Sequence, residues 1–491
     1  MRCRKLFLPI GLLLVGLMWG SCVDIPSDPG TNVNPDFRSM VRFVHSVPGG
    51  PAGNITVDAA SVATGVAFPS ATPYLDIASG SRSIAFGATA AQTVTFGSEQ
   101  QSTVLIYSIG TGVAYLNLPE GHKDKNNGLA NVALVRFVNV AQGSAANISF
   151  KQDSVKGADL SANLAFATVP GYTSVAPGAV PVYAVSNGSY TVTLNGANEV
   201  PANTSKSTGS GTVSITPDSL IYSVDVKSDN SQGFYTGGHF HNAAAGVNGP
   251  VVLAIDVTGQ QMSIPELTLI GANEVPAVVT SATAKATFTL TSAGLVYSIT
   301  VVRDPVDTLF TMAHFHFGAA GTDGPPWYVI SSTSFGSTTL TGTWAGAAVG
   351  DTLTQLLAGK IYVNLHSTAH PGGVLRAQLV PDAFTTNTYS GSWKGSTLTD
   401  AMRDSLNNGK LYINFHTVAH SGGQIRGQVT AVGQYGATSL PSATYQAGKV
   451  YTIVATGAGR SFQLARYSDR QFGLSKTSAV PGKSTRVKVR E

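Results

Sequence analysis

The chain repeats itself with two different offsets, whereas a simple tandem duplication allows only one. "LNGANEVPA" at Leu194 returns as "LIGANEVPA" at Leu269, 75 residues on, but "KIYVNLHSTAH" at Lys360 returns as "KLYINFHTVAH" at Lys410, only 50 residues on. The order is start, start, end, end. Any fold for this chain must therefore join each start to an end across a long intervening stretch.

The local pattern is that of strands. Runs such as "VRFVHSV" at Val41, "NITVDAA" at Asn54, "STVLIYSIG" at Ser102 and "ALVRFVNV" at Ala133 are short, β-branched and bounded by Gly, Pro, Asn or Ser, as in antiparallel β-sandwiches. A chain of 491 residues has room for three or four such domains. Only 11% of its residues are charged, and the abundance of Gly, Ala, Ser, Thr and Val disfavours long helices. A formal charge of +4 without a dense Lys/Arg run outside the extreme termini leaves no footprint for nucleic acid. Two segments break the pattern, "DTLTQLLAGK" from Asp351 and "STLTDAMRDSLNNGK" from Ser396. In the second, Leu398, Met402 and Leu406 recur at helical spacing, which predicts a short helix over the end of a sandwich.

A further similarity links "VRFVHSVPGGPAGNITVDAASV" at Val41 to "VRFVNVAQGSAANISFKQDSV" at Val135, each followed by a matching piece at Gly65 and Asn163. These stretches resemble a domain family of unknown function found in exported bacterial proteins. The first copy closes with "TVLIYSIGTG" at Thr103. The second changes text after about Ser186, and its closing strands, "YQAGKVYTIVATGAG", stand at Tyr445–Gly459. Something is inserted between.

The inserted region carries "TLNGANEVPA", "GGHFHNAAAGVNGPVV" and "LYINFHTVAHSGGQIRGQV". In that order these resemble the opening, centre and closing motifs of the chordin-type (CHRD) domain. A complete set lies within about Pro265 to Pro381. In both closing motifs the family's Glu before Ile-Arg-Gly-Gln is replaced, by Val374 and Gln424.

Two pairings of starts with ends are open. Under nesting, His314 and His316 belong with His366 and His370, and His239 and His241 with His416 and His420; under crossing, neither domain is contiguous. Removing the contiguous set, about 120 residues, from the stretch between His241 and His416 leaves a separation close to that between His316 and His366, which favours nesting. Insertion into a surface loop is also thermodynamically mild. The expected architecture is all-β, with several antiparallel β-sandwich domains, nested domain insertions and short helices. Its parts are a signal at 1–22, a tether at 23–38 and a first sandwich at 39–125. A second sandwich is split into 131–187 and 432–472. Inside it lie a split chordin-type domain, 188–262 and 384–431, an inserted one at 263–383, and finally a tail at 473–491.

Eight of the ten histidines fall in the two chordin-type sets. In "HFH" strand alternation puts both imidazoles on one face and turns Phe240 or Phe315 to the core. In "YINFH" it aligns Tyr412, Asn414 and His416 on one face, as Tyr362, Asn364 and His366 do in the other copy. His420 and His370 follow at a Gly-Gly turn that can fold them back. Four imidazoles converging in each domain would suit Zn or Cu, in preference to Ca or Mg, with the Asn or Tyr residues as supporting partners. The alternative is that these histidines are hydrogen-bonded surface residues kept apart in space. Glu199 and Glu274, in "ANEVPA", read as structural residues that cap a turn or pair with Arg426 and Arg376. No Gly-x-Ser-x-Gly elbow occurs, and the Gly-rich "AAAGVNGP" lacks the Lys-Ser/Thr of a phosphate loop.

At the N-terminus, Arg2, Arg4 and Lys5 precede an apolar stretch from Leu6 to Trp19 with signal-peptide proportions. "WGSC" ending at Cys22 resembles the bacterial lipobox, which implies lipidation of Cys22 and a membrane anchor; a plain secreted protein is the alternative. The other cysteine, Cys3, lies inside the signal, so the mature chain has no disulfide. The expected role is non-enzymatic binding or adhesion at the cell envelope, in the outer membrane or on the cell surface, toward a protein or glycan partner the sequence does not name. A copper-dependent redox enzyme of superoxide dismutase type and a purely structural, metal-free surface protein are the competing readings.

Overall fold

The computed structural model describes residues 37–120, 131–142, 147–395, 398–441, 443–458 and 461–469. The expected signal with Cys22, nearly all of the expected tether, and the expected tail lie outside these residues. The described chain is almost entirely β, with α-helices only at Gly350–Leu357 and Asp400–Asn407.

The first sandwich packs two four-stranded sheets. One runs in the order Leu75–Ala78, Arg38–His45, Gln101–Ile109, Gly112–Glu120; the other runs Ala60–Val66, Gly53–Val57, Gly80–Phe86, Gln92–Phe96. Arg38–His45 and Gln101–Ile109 pair in parallel. The same parallel pair recurs in the second sandwich, between Ala133–Gln142 and Val450–Ala458, with Leu134 opposite Val450 and Gln142 opposite Ala458. A strand from beyond residue 450 thus completes a sheet begun near residue 133. Arg136 is buried between them, over the ring of Tyr172.

The two sandwiches share an apolar seam of Val44, Leu105, Tyr107 and Leu118 against Val138, Val140 and Val454. Beside it, buried Arg42 donates to the Ser468 carbonyl at 2.6 Å and to the Asp469 carboxylate. A buried charge left unpaired costs several kcal/mol, on the order of 3–5, so Arg42 ties the seam to one geometry.

Inside the second sandwich lies an outer unit whose chain is interrupted. One sheet segment orders Gly188–Asn195, Thr208–Ile215, Ser219–Asp229 and Phe384–Lys394; the other orders Val251–Ile255, Tyr235–Asn242, Leu411–Thr417 and Ile425–Gln428. The pair Asn195–Arg426 joins the two segments, and the strand Thr430–Gly433 that follows also pairs with Gly188–Asn195. The inner unit repeats this plan without interruption: Gln261–Leu269, Thr283–Thr291, Gly294–Val302, Thr338–Trp344, and Pro326–Ser331, Phe310–Phe317, Ile361–Ser367, Leu375–Leu379. Its segments meet at the Ile270–Arg376 bridge. Nesting, not crossing, is therefore the arrangement. A short turn joins Pro326–Ser331 to Thr338–Trp344 in the inner unit; at the corresponding turn of the outer unit, after Val251–Ile255, the whole inner unit is inserted.

Each unit has its own core. Phe240, Leu194, Ile413 and Phe415 centre the outer one, and Phe315, Leu269, Val363 and Leu365 the inner one. The second helix forms as its spacing predicts: the Thr399 hydroxyl accepts from the Met402 N–H, and Leu398, Met402 and Leu406 are buried. Gly409, at a positive φ of 63°, ends it, the left-handed stop that glycine adopts without strain.

Candidate metal centre

In each unit the His-Phe-His strand lies antiparallel to the closing strand. Gly237 stands opposite His416 and His239 opposite Asn414; in the inner unit Met312 stands opposite His366 and His314 opposite Asn364. With Phe240 and Phe315 fully buried in the cores, alternation sends the histidines to the other face. The register thus gathers three imidazoles per unit. His239, His241 and His416 each offer a ring nitrogen within 4.8 Å of the others, and so do His314, His316 and His366.

The hydrogen bonds set which nitrogens point inward. Nδ1 of His241 lies 2.9 Å from the Gly249 carbonyl, and Nδ1 of His416 lies 3.0 Å from that of Ser421. In the inner unit Nδ1 of His316 and His366 meet the carbonyls of Gly324 and Pro371 at 3.0 and 3.1 Å. A carbonyl only accepts, so each Nδ1 carries the proton and each Nε2 of a neutral ring presents a bare lone pair. Nε2 of His316 and His366 then face each other at 3.4 Å. Two lone pairs cannot hydrogen-bond, and a cation between them relieves the contact. In the outer unit Nε2 of His241 and His416, with Nδ1 of His239, are buried and unpartnered; Nδ1 of His314 is likewise unpartnered in the inner unit. Burial holds all six rings below the ordinary histidine range, His366 at about 4. The rings are therefore neutral and competent to ligate at neutral pH.

A buried stack holds the second histidine of each pair. His241 lies face to face with Tyr412 at 4.8 Å, and the Arg426 guanidinium covers that tyrosine at 3.4 Å. Arg426 also donates to the Val247 carbonyl at 2.7 Å and to Asn248 Oδ1 at 3.1 Å. It thereby pins the loop that presents Gly249 to His241. Arg376, Tyr362 and His316 repeat the stack, with Arg376 donating to the Thr322 carbonyl at 2.7 Å.

His370 and His420 stand outside the two groups of three, which corrects the expectation of four converging rings. The Gly-Gly turn does fold back, but it delivers a carbonyl, from Pro371 or Ser421, to orient His366 or His416. The His370 ring turns away to the buried Asp307 carboxylate, 3.0 Å from its Nδ1. In the inner unit the pinned loop also covers the face, and His314, His316 and His366 are all under 9% exposed.

Glu199 and Glu274 are structural neighbours of the site, though not through an ion pair. Glu274 Oε2 accepts from Asn364 Nδ2 at 3.3 Å, and Glu199 from Asn414 at the same distance. Arg376 and Arg426 act on them only through space. Burial pushes both carboxyls up to about 7, against the opposing pull of those arginines. A carboxyl raised in the fold keeps a proton that the unfolded chain has lost, so its contribution falls as pH rises from about 4.5 to about 7. Glu274→Gln is expected to match the wild type at pH 4.5 and to exceed it in stability at pH 8 by on the order of 1–3 kcal/mol, since the new amide can donate to the unpartnered Asn364 Oδ1. Thermal melts at the two pH values check this; a lower midpoint for the variant at pH 8 would show an ionised, well-paired carboxylate.

Sequence reasoning missed the orienting carbonyls of Gly249, Gly324, Ser421 and Pro371, as well as Asp307. Gly249 and Gly324 do share the 75-residue offset of the histidines, a signal that marked them as part of the repeated unit.

The fold and the two three-histidine groups define a protein of nested β-sandwiches with paired candidate metal centres. The CHRD domain family matches residues 190–266, 265–379 and 381–429, and a domain of unknown function, DUF4397, matches residues 39–148. The chain is thus a CHRD-domain-containing protein with an adjacent DUF4397 domain. The outer two CHRD segments are those whose strands pair across the insertion. No curated protein matches the chain.

Proposed function

We propose that this chain is an exported cell-envelope protein, lipid-anchored at Cys22, that binds one transition-metal ion, Zn or Cu, in each of two CHRD units without catalysing a reaction. One observation carries the metal reading. In each unit three ring nitrogens converge, and two of them are held as bare Nε2 donors by carbonyls that fix the tautomer. Neutral imidazoles suit Zn and Cu, and three protein ligands leave a fourth position for water or a partner. Export and anchoring rest on the basic and apolar N-terminal stretch and on Cys22.

The test is elemental analysis of protein stripped with chelator, loaded with Zn(II) or Cu(II) and desalted. About two equivalents per chain are expected. Fewer than about half an equivalent per unit, under conditions where a folded three-nitrogen site retains metal, would sink the reading. The anchor is checked by cell fractionation, where Cys22→Ala should move the protein out of the membrane pellet.

A further inference from the structure

The two centres share three nitrogens but differ at one neighbouring position. We propose that Met312 completes the inner centre as a fourth donor through its thioether, forming a His3Met set that selects Cu(I), while the outer centre, with Gly237 in that place, remains a three-nitrogen site for a divalent ion. The inference rests on the metal-binding reading above.

Register places Met312 at the inner centre. It stands directly opposite His366 and two residues before His314, and its neighbour Ala313 is fully buried in the core with Phe315. Met312 therefore shares the face of His314, His316 and His366. Cross-strand partners have Cβ atoms about 4.5–5.5 Å apart, within the reach of an unbranched side chain with three rotatable bonds. Gly237 occupies the same place in the outer unit, opposite His416. A Cβ built on Gly237 would meet Cε1 of His239 at 3.0 Å. A side chain at this position is thus in touching range of the first histidine ring.

Exposure and charge agree with a ligand role. Met312 is 40% exposed, although it sits beside three histidines that are each under 9% exposed. An apolar side chain at the mouth of a polar cluster gains little from burial there, but its sulfur can close the cluster. The donor set is neutral throughout, and a buried neutral set accommodates one positive charge at less desolvation cost than two. Soft thioether ligands select Cu(I), whereas imidazoles alone also suit Zn and Cu(II). The outer centre is less enclosed, with His239 and His416 only part-buried, so a hydrated divalent ion can keep a water there.

The experiment uses the full chain, stripped of metal, in a His239→Ala/His241→Ala background that leaves the inner centre alone. Cu(I) is titrated anaerobically against bicinchoninate, and copper-edge X-ray absorption is recorded. The expected result is one Cu(I) with a sulfur scatterer. Met312→Leu, which keeps the volume and removes the sulfur, should abolish that scatterer and weaken Cu(I) by about 10-fold or more. Conversely, Gly237→Met in the wild-type chain should add a sulfur scatterer at the outer centre. Cu(I) bound without a sulfur scatterer and with equal affinity in Met312→Leu would overturn the thioether assignment and leave the metal reading standing. If the wild-type chain takes up neither Cu(I) nor Zn(II), the metal reading itself fails and this inference with it.

Discussion

Alanine at both His239 and His241 is expected to halve the metal content of the chain, from two equivalents to one, and to leave the affinity of the remaining site unchanged. The three nitrogens of the outer centre come from one strand pair, with His241 opposite Tyr412 and Gly237 opposite His416. None of them reaches the inner unit, whose own pair joins Phe310–Phe317 to Ile361–Ser367. Two of three donors vanish in the variant, and a binding free energy on the order of 10 kcal/mol does not survive on a single imidazole. The fold should persist, because Phe240 keeps its place in the core while the two histidines lie on the opposite face. Metal analysis of the desalted variant decides the matter. Loss of both equivalents would mean that the centres are coupled, and retention of both would move the site elsewhere.

The second large effect concerns the insertion. Excising Met262–Pro381 and bridging the gap with a short Gly-Ser-Gly link is expected to yield a folded outer unit holding one metal ion, while the excised segment folds separately around the other. The ends of the inner unit already meet: the Asp382 N–H donates to the Ser263 carbonyl at 2.9 Å, and Asn387 clasps the backbone of Gln261 at 2.8 and 2.9 Å. To the outer unit the insert is therefore equivalent to a short turn, with little loop-closure cost to recover. The buried residues of the two cores are distinct; a partly buried outer-unit side chain, Phe234, packs on the inner core. The outer unit's midpoint should shift by no more than about 4 °C, the effect of about 1 kcal/mol in a domain of this size. Aggregation of both pieces would show that neither unit is autonomous.

Much of this was legible from the sequence because alternation is a strict rule. The placing of Phe240 and Phe315 in the cores, with their flanking histidines opposite, follows from period two alone. The nesting followed from motif order and loop arithmetic. What could not be read were the details of the turns. The sequence "HSTAHPGG" shows two histidines and a tight turn, but not that a carbonyl of the turn, rather than the second ring, reaches the first. In both units the carbonyl wins, and in the inner one Asp307, brought from far upstream, holds His370 aside. The outer unit has Gln232 at the corresponding place, and there the His420 Nδ1 is buried without a partner. Burial of the face was also hidden, because it comes from loops that Arg376 and Arg426 pin across it.

The nesting also dictates a timetable. As the chain emerges from its N-terminus during synthesis, the second sandwich opens first, then the outer CHRD unit, then the inner one, and they can close only in the reverse sequence. The edge of Ala133–Gln142 that pairs with Val450–Ala458 waits unpaired until both enclosed units have formed. An exposed strand edge invites pairing with other chains, and contacts so distant in sequence form late. The outermost sandwich is therefore the most vulnerable part of the molecule while the chain is incomplete. Of the three nested units the innermost, whose strands pair only with one another, is the first to be safe.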